Sequence, residues 1–200
     1  MKLPEDYDET VGITGDFETV EAGGYICKII SAKVEKSKNN NEMLVVAFDI
    51  ASGEHEGIYQ RRFEQAKNSS NNTPDNPAKW PNDGIHRLVI TNQDGKCNKF
   101  FKGFITSIEE SNDGYKFKTK KNEADEKTLK GKLFGAIIGR TQYESMTGEL
   151  RFNSRIKGIR SIQVIEDGKY EVPQDELLEK QNNSLADFNV NNSDDDDLPF

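Results

Sequence analysis

The stretch from Leu129 to Tyr143 (LKGKLFGAIIGRTQY) combines strand-forming residues with glycines at 131, 135 and 139. Glycine at every fourth position suits bends and bulges in a tightly curved sheet better than a straight strand, because it lets the backbone kink and approach its neighbours closely. Small, strongly curved β architectures are therefore favoured. Flanking segments agree. From Gly24 to Val34, Tyr25, Cys27 and Ile29 alternate with Ile26, Lys28 and Ile30, a polar turn covers 36–42, and Met43 to Ile50 places Leu44, Val46, Phe48 and Ile50 on one face. This period of two predicts a hairpin. Glu149 to Ile165 is the longest β-like stretch. Gly158 interrupts an alternation that sets Arg151, Asn153, Arg155 and Lys157 opposite Phe152 and Ile156, which predicts one bent strand or two.

Between these segments, Ile58 to Glu64 (IYQRRFE) alternates Tyr59, Arg61 and Phe63 against Gln60 and Arg62, and reads as a third strand. Residues 67–84 hold three prolines and many Asn and Ser, and predict a long loop with Trp80 inside it. Ile85 to Thr91 is a short strand candidate. Phe101, Phe104, Ile105 and Ile108 fall at helical spacing, so Asn98 to Glu110 is expected to be an amphipathic helix, with Glu109 and Glu110 opposing its dipole. The pattern is all-β with one helix: an OB-fold-like barrel of five to six strands. A two-sheet sandwich would show the same periods.

Charge divides the chain. Taken alone, the net charge of -8 argues against a nucleic-acid partner, since phosphate binding needs Lys and Arg. Yet residues 171–200 carry nine acids against Lys180, and residues 1–21 carry seven against Lys2. The remaining 22–170 has 25 Lys and Arg against 19 Asp and Glu, a basic body between acidic arms. We therefore read 1–21 as an acidic lead, 22–170 as one domain, and 171–200 as a disordered acidic tail.

Chemistry is sparsely represented. Cys27 and Cys97 are far apart and have no CxxC or histidine company, so neither a zinc site nor a disulfide is expected. The sequence has no GxxxxGK, GxSxG or HExxH motif, and His55 and His86 lack a nearby Cys or second His. The expectation is a protein that is not an enzyme and uses no cofactor or metal. No apolar run approaches the roughly 18 residues that span a bilayer, and Met1 to Gly15 is acidic, so a cytoplasmic protein is expected.

Asp194, Asp195, Asp196 and Asp197 precede Leu198, Pro199 and Phe200 at the last position. Phe200 offers a ring for a pocket and a carboxylate for a basic rim, Pro199 restricts the approach, and the aspartates steer encounter with basic partners. DDDDLPF resembles the acidic tip of bacterial and phage single-stranded-DNA-binding proteins. The body is similar to phage members of that class in the order GGYICKI, MLVVAFDI, GEHEGIYQRRF and LKGKLFGAIIG. The resemblance implies binding and protection of single-stranded DNA in replication, recombination or repair. It also implies that the tip recruits replication or recombination proteins, and it leaves the oligomeric state, including a homo-oligomer, open.

Binding a single strand without sequence choice needs cations along a groove and flat side chains for bases, each stack worth roughly 1 to 3 kcal/mol. Tyr59, Arg61 and Arg62 interleave both kinds, and Lys116 and Lys118 flank Tyr115 and Phe117. Arg140, Tyr143, Arg151, Arg155, Lys157 and Arg160 lie along the last two strands, and Trp80 sits in a polar loop where it could stack or pin the loop down. A competing reading is a β-sandwich adaptor or DNA mimic that binds basic proteins through its acidic arms and touches no nucleic acid.

Overall fold

The computed structural model describes residues 19–37, 40–120, 123–145 and 147–178. In chain order the elements are β1 (Gly23–Lys36), β2 (Glu42–Ile50), α1 (Ile58–Lys67), β3 (Ile85–Val89), α2 (Lys99–Ser111), β4 (Lys118–Lys120), β5 (Glu123–Ala124), β6 (Leu133–Glu144), β7 (Leu150–Arg160) and α3 (Ile162–Glu166). Five strands form one antiparallel sheet in the order β3-β2-β1-β6-β7, while β4 and β5 make a small hairpin of their own. Long β1 serves two neighbours. Its first half pairs with β6 from Gly23↔Ile138 to Lys28↔Leu133, and its second pairs with β2 as far as Lys36↔Glu42, with a bulge between Ile29 and Ser31.

This bend curls the sheet into a nearly closed, OB-like five-strand barrel. The free edges belong to β3 and β7, and the 3-10 turn Asn82–Gly84, just before β3, lies between them. There the Asp83 carboxylate faces the backbone N–H of Ser154 on β7, which lowers its pKa against the effect of burial. A two-sheet sandwich is thereby replaced by a single curved sheet.

The alternation read from the sequence sets the inward face: Cys27, Ile29, Leu44, Val46, Phe48, Phe134, Ala136 and Ile138 are buried together with Phe104, Ile105 and Ile108 of α2. Phe134 meets Phe48 and Phe104 edge to face at 5.8 and 5.2 Å. Each such ring removes apolar surface from water, worth about 1.5–3 kcal/mol per large side chain. α2 begins as expected: the Asn98 side chain caps it by accepting from the Phe100 N–H at 2.8 Å. Its unfavourable acidic end is resolved locally, because Glu109 accepts the Phe117 N–H at 3.0 Å and pairs with Lys116 at 3.6 Å.

Three expectations need correction. Ile58 to Glu64 is not a third strand but most of α1. The alternating pair Tyr59 and Phe63 is also an i, i+4 pair, so periodicity fits both states. The decision comes from Asp49, ten residues upstream on β2. Its carboxylate accepts the backbone N–H groups of Tyr59 at 3.0 Å and Gln60 at 2.9 Å, satisfying donors that a helix start leaves open. The N-cap itself, Gly57, has φ 70° and no side chain to offer.

Next, Glu149 to Ile165 is neither one bent strand nor two. It is β7 followed by α3, and Ile165 of that helix packs onto Gly135, where an added Cβ would lie 2.6 Å from Ile165 Cγ1. Gly139 similarly lies under Lys157 and Pro173, so the spaced glycines of β6 receive crossing chain as well as curvature. A bulge does occur between Ile137 and Ile138 against β7.

Finally, the tail does not begin at 171. Residues 173–178 run beside β6 where β1 has ended. Glu176 donates its N–H to Arg140 O at 2.9 Å and accepts from Gln142 N at 2.8 Å, making a parallel bridge with Thr141. Backbone pairing of that kind satisfies an exposed strand edge, which acidic composition alone does not disclose. The acidic lead up to residue 18 and the tail from residue 179 lie outside the described residues.

Candidate nucleic-acid interface

Register on β6 and β7 sorts the arginine-rich strands into two faces. Thr141↔Asn153, Tyr143↔Arg151 and Gly139↔Arg155 are directly opposed, so Tyr143, Arg151 and Arg155 share the outer face beyond the end of β1. Tyr143 is 36% exposed and sits directly across from Arg151, whose guanidinium reaches Glu149 at 2.6 Å. Arg155 and Arg160 are exposed. An exposed aromatic beside an exposed guanidinium is the pairing that base stacking and phosphate contact require.

Arg140 lies on the other face. Its guanidinium covers the Phe152 ring at 4.8 Å and makes a bidentate pair with Asp175, at 2.9 and 2.5 Å. Hydrogen bonding to Asp175 raises the arginine's pKa, and the same contact holds Asp175 below the ordinary carboxylate range. Lys157, at the bulge, donates to Glu176 at 2.7 Å, and Thr141 Oγ1 donates to the other oxygen of that carboxylate at 2.7 Å. Both contacts lower the pKa of Glu176. The segment 173–178 thus lays two acids over two of the cations marked by the sequence.

Tyr59 does not serve as a platform. It is fully buried, edge-on to Phe48 at 5.5 Å, and its hydroxyl meets no protein partner. Burial raises its pKa well beyond that of a free phenol. The helical rather than extended backbone turns Tyr59 inward and leaves Arg61 and Arg62 to the surface of α1. Arg61 donates to Glu56 O, and Arg62 lies over the Tyr59 ring and 3.8 Å from Asp83. Trp80 is also tied down. Its Nε1 donates to Gly84 O at 3.1 Å, and its ring leans on Phe63 at 5.5 Å. Of its two expected roles, this geometry is that of the loop anchor. Lys116 is engaged with Glu109, and Lys118 is exposed on β4, on a different element from the β6–β7 ribbon.

A family model described as a protein of unknown function (DUF669) matches residues 6–78. That span is similar to the DUF669 family across β1, β2, α1 and the start of the following loop. It includes Tyr59, Arg61 and Arg62 but none of β6 or β7. No curated protein matches the chain.

Sequence reading missed three residues: Lys33, Arg87 and Asp83. Lys33, Val45 and Arg87 lie side by side across β1, β2 and β3. Val45 alternates with the inward Leu44 and Val46, so this row faces outward, on the strand 2–3 surface where OB barrels take oligonucleotides. A strand register would have found it; the sequence held Arg87 in a short strand without a partner. The third is Asp83, between Arg62 and β7. Burial raises its pKa, against the lowering effects of Arg62, the Ser154 N–H and Arg155. Asp194 to Phe200, expected from the sequence to recruit partner proteins, lie outside the described residues. Among the described residues, no group of three or more His, Cys, Asp and Glu is placed to hold a metal ion, and no helix is long and apolar enough to cross a membrane.

Proposed function

We propose that this chain binds single-stranded DNA without sequence choice, in replication, recombination or repair, and that its acidic C-terminal tip recruits partner proteins. One observation carries the reading: β7 presents Arg151, Arg155 and Arg160 as exposed cations along one strand of an OB-like barrel, with Tyr143 directly across from Arg151. Cations spaced along a strand follow a polynucleotide backbone, and the adjacent ring accepts bases of any identity. Lys33 and Arg87 extend the basic surface onto β1 and β3. The experiment is retention on oligo-dT over a salt series. Steep loss of affinity with salt is expected from counterion release. Absence of retention at low salt overturns the reading.

A second reading, an adaptor that engages basic proteins, is favoured by Asp175 and Glu176, which already occupy Arg140 and Lys157. It predicts no affinity for oligo-dT at any salt concentration.

A further inference from the structure

The seam that closes the barrel contains an acid among its cations. Asp83 is 25% exposed, stands 3.8 Å from the equally covered Arg62, faces the Ser154 N–H and lies within electrostatic reach of exposed Arg155. Three elements therefore converge on one carboxylate: α1, the turn before β3, and the free edge of β7. Its position is fixed. A Cβ on the following residue, Gly84, would fall 2.6 Å from Trp80 Nε1 and 2.9 Å from Tyr59 Cγ, and Trp80 itself holds Gly84 O. The turn cannot swing outward without breaking that packing. Guanidinium groups and a main-chain N–H converging on a pair of oxygens are also what binds a phosphate.

We infer that Asp83 is a built-in counter-anion of the strand-binding surface: it closes the barrel by holding Arg62 and the edge of β7, and it competes with strand phosphates for Arg155. The inference rests on the single-strand reading above and adds what limits its affinity. Arg155, on an exposed side chain, exchanges Asp83 for a phosphate without unfolding anything. Arg62, covered and lying over Tyr59, stays where it is. The fixed carboxylate then opposes each arriving phosphate, so binding is weaker and more readily reversed than the same cations would give alone.

Asp83→Asn tests this, because the carboxamide keeps an oxygen for the Ser154 N–H and removes the charge. Binding of labelled oligo-dT to the full chain is followed by fluorescence anisotropy across a salt series. The variant is expected to bind roughly five- to tenfold tighter at low salt, with a steeper dependence of log K on log salt. Equal or weaker binding by the folded variant overturns the inference. Arg155→Gln gives a reading that does not depend on Asp83→Asn folding. In the otherwise wild-type chain it should flatten the salt slope by less than about one ion, because Asp83 already neutralises part of that charge. Loss of a full ion, or of none, overturns it. A wild-type chain that ignores oligo-dT removes the strand-binding reading and this inference together, whereas wild-type binding with an unchanged Asp83→Asn variant removes this one alone.

Discussion

Asp49, at the end of β2, caps α1 by accepting the backbone N–H of Tyr59 at 3.0 Å, although ten residues separate them. The carboxylate is 5% exposed and also takes the Gln60 N–H at 2.9 Å, so it bonds the barrel wall to the first turn of the helix. Asp49→Ala leaves those buried donors without an acceptor and is expected to cost about 1–3 kcal/mol. Urea unfolding checks it. A variant as stable as wild type would mean that α1 starts without this cap.

His86 faces Phe104 inside the barrel, ring centroids 6.0 Å apart, and burial lowers its pKa from 6.5 to about 4. The folded state therefore disfavours the proton that the unfolded chain accepts. Its contribution to stability is present in full above the unfolded value and is lost as pH falls from 6.5 toward 4. The expected loss is about 2 kcal/mol between roughly pH 7.5 and pH 5. His86→Leu should flatten that part of the pH profile in chemical unfolding; an unchanged slope would place the lost stability elsewhere.

The strap 173–178 should oppose DNA. Replacing both Asp175 and Glu176 by their amides releases Arg140 and Lys157 from their paired acids, and removing 171–200 does the same while also deleting the tip. Both proteins are expected to bind oligo-dT more tightly and with a steeper salt dependence. The truncation alone should lose partner recruitment. Unchanged affinity in gel shifts of the amide variant would show that these cations lie off the DNA path.

Two aromatics from the same sequence reading should separate in experiment. Tyr143→Ala, at an exposed site, should weaken DNA binding by about 1–3 kcal/mol and leave the melting temperature in place. Trp80→Ala removes the ring packed on Phe63 and the bond to Gly84, so its main effect should be on stability, about 3 kcal/mol. Calorimetry and anisotropy on both variants decide between the roles, and a stable Trp80→Ala protein with impaired DNA binding would reverse them.

Much of the barrel was legible because period-two alternation reports directly which face of a strand is buried. Leu44, Val46, Phe48 and Ile50 are inside as their spacing required, and α2 follows its i, i+3, i+4, i+7 pattern. Ile58 to Glu64 was illegible because Tyr59 and Phe63 satisfy both periods, and the group that breaks the tie is on another element. The site was less legible still. Spacing marked Tyr143, Arg151 and Arg155, but pairing across β6 and β7 is what puts them on one face, and it moves Arg140 to the other.

Local sequence thus determined the five strands of the barrel, the second helix, the Asn-rich loop and the partition of charge, since each depends on residues within a few positions of one another. Tertiary structure alone decided that Tyr59 is core, that Asp175 and Glu176 cover Arg140 and Lys157, and that Asp83 sits among Arg62, Ser154 and Arg155. Those are encounters between distant segments, and their energies depend on distance and burial, which a linear pattern of residue types does not contain.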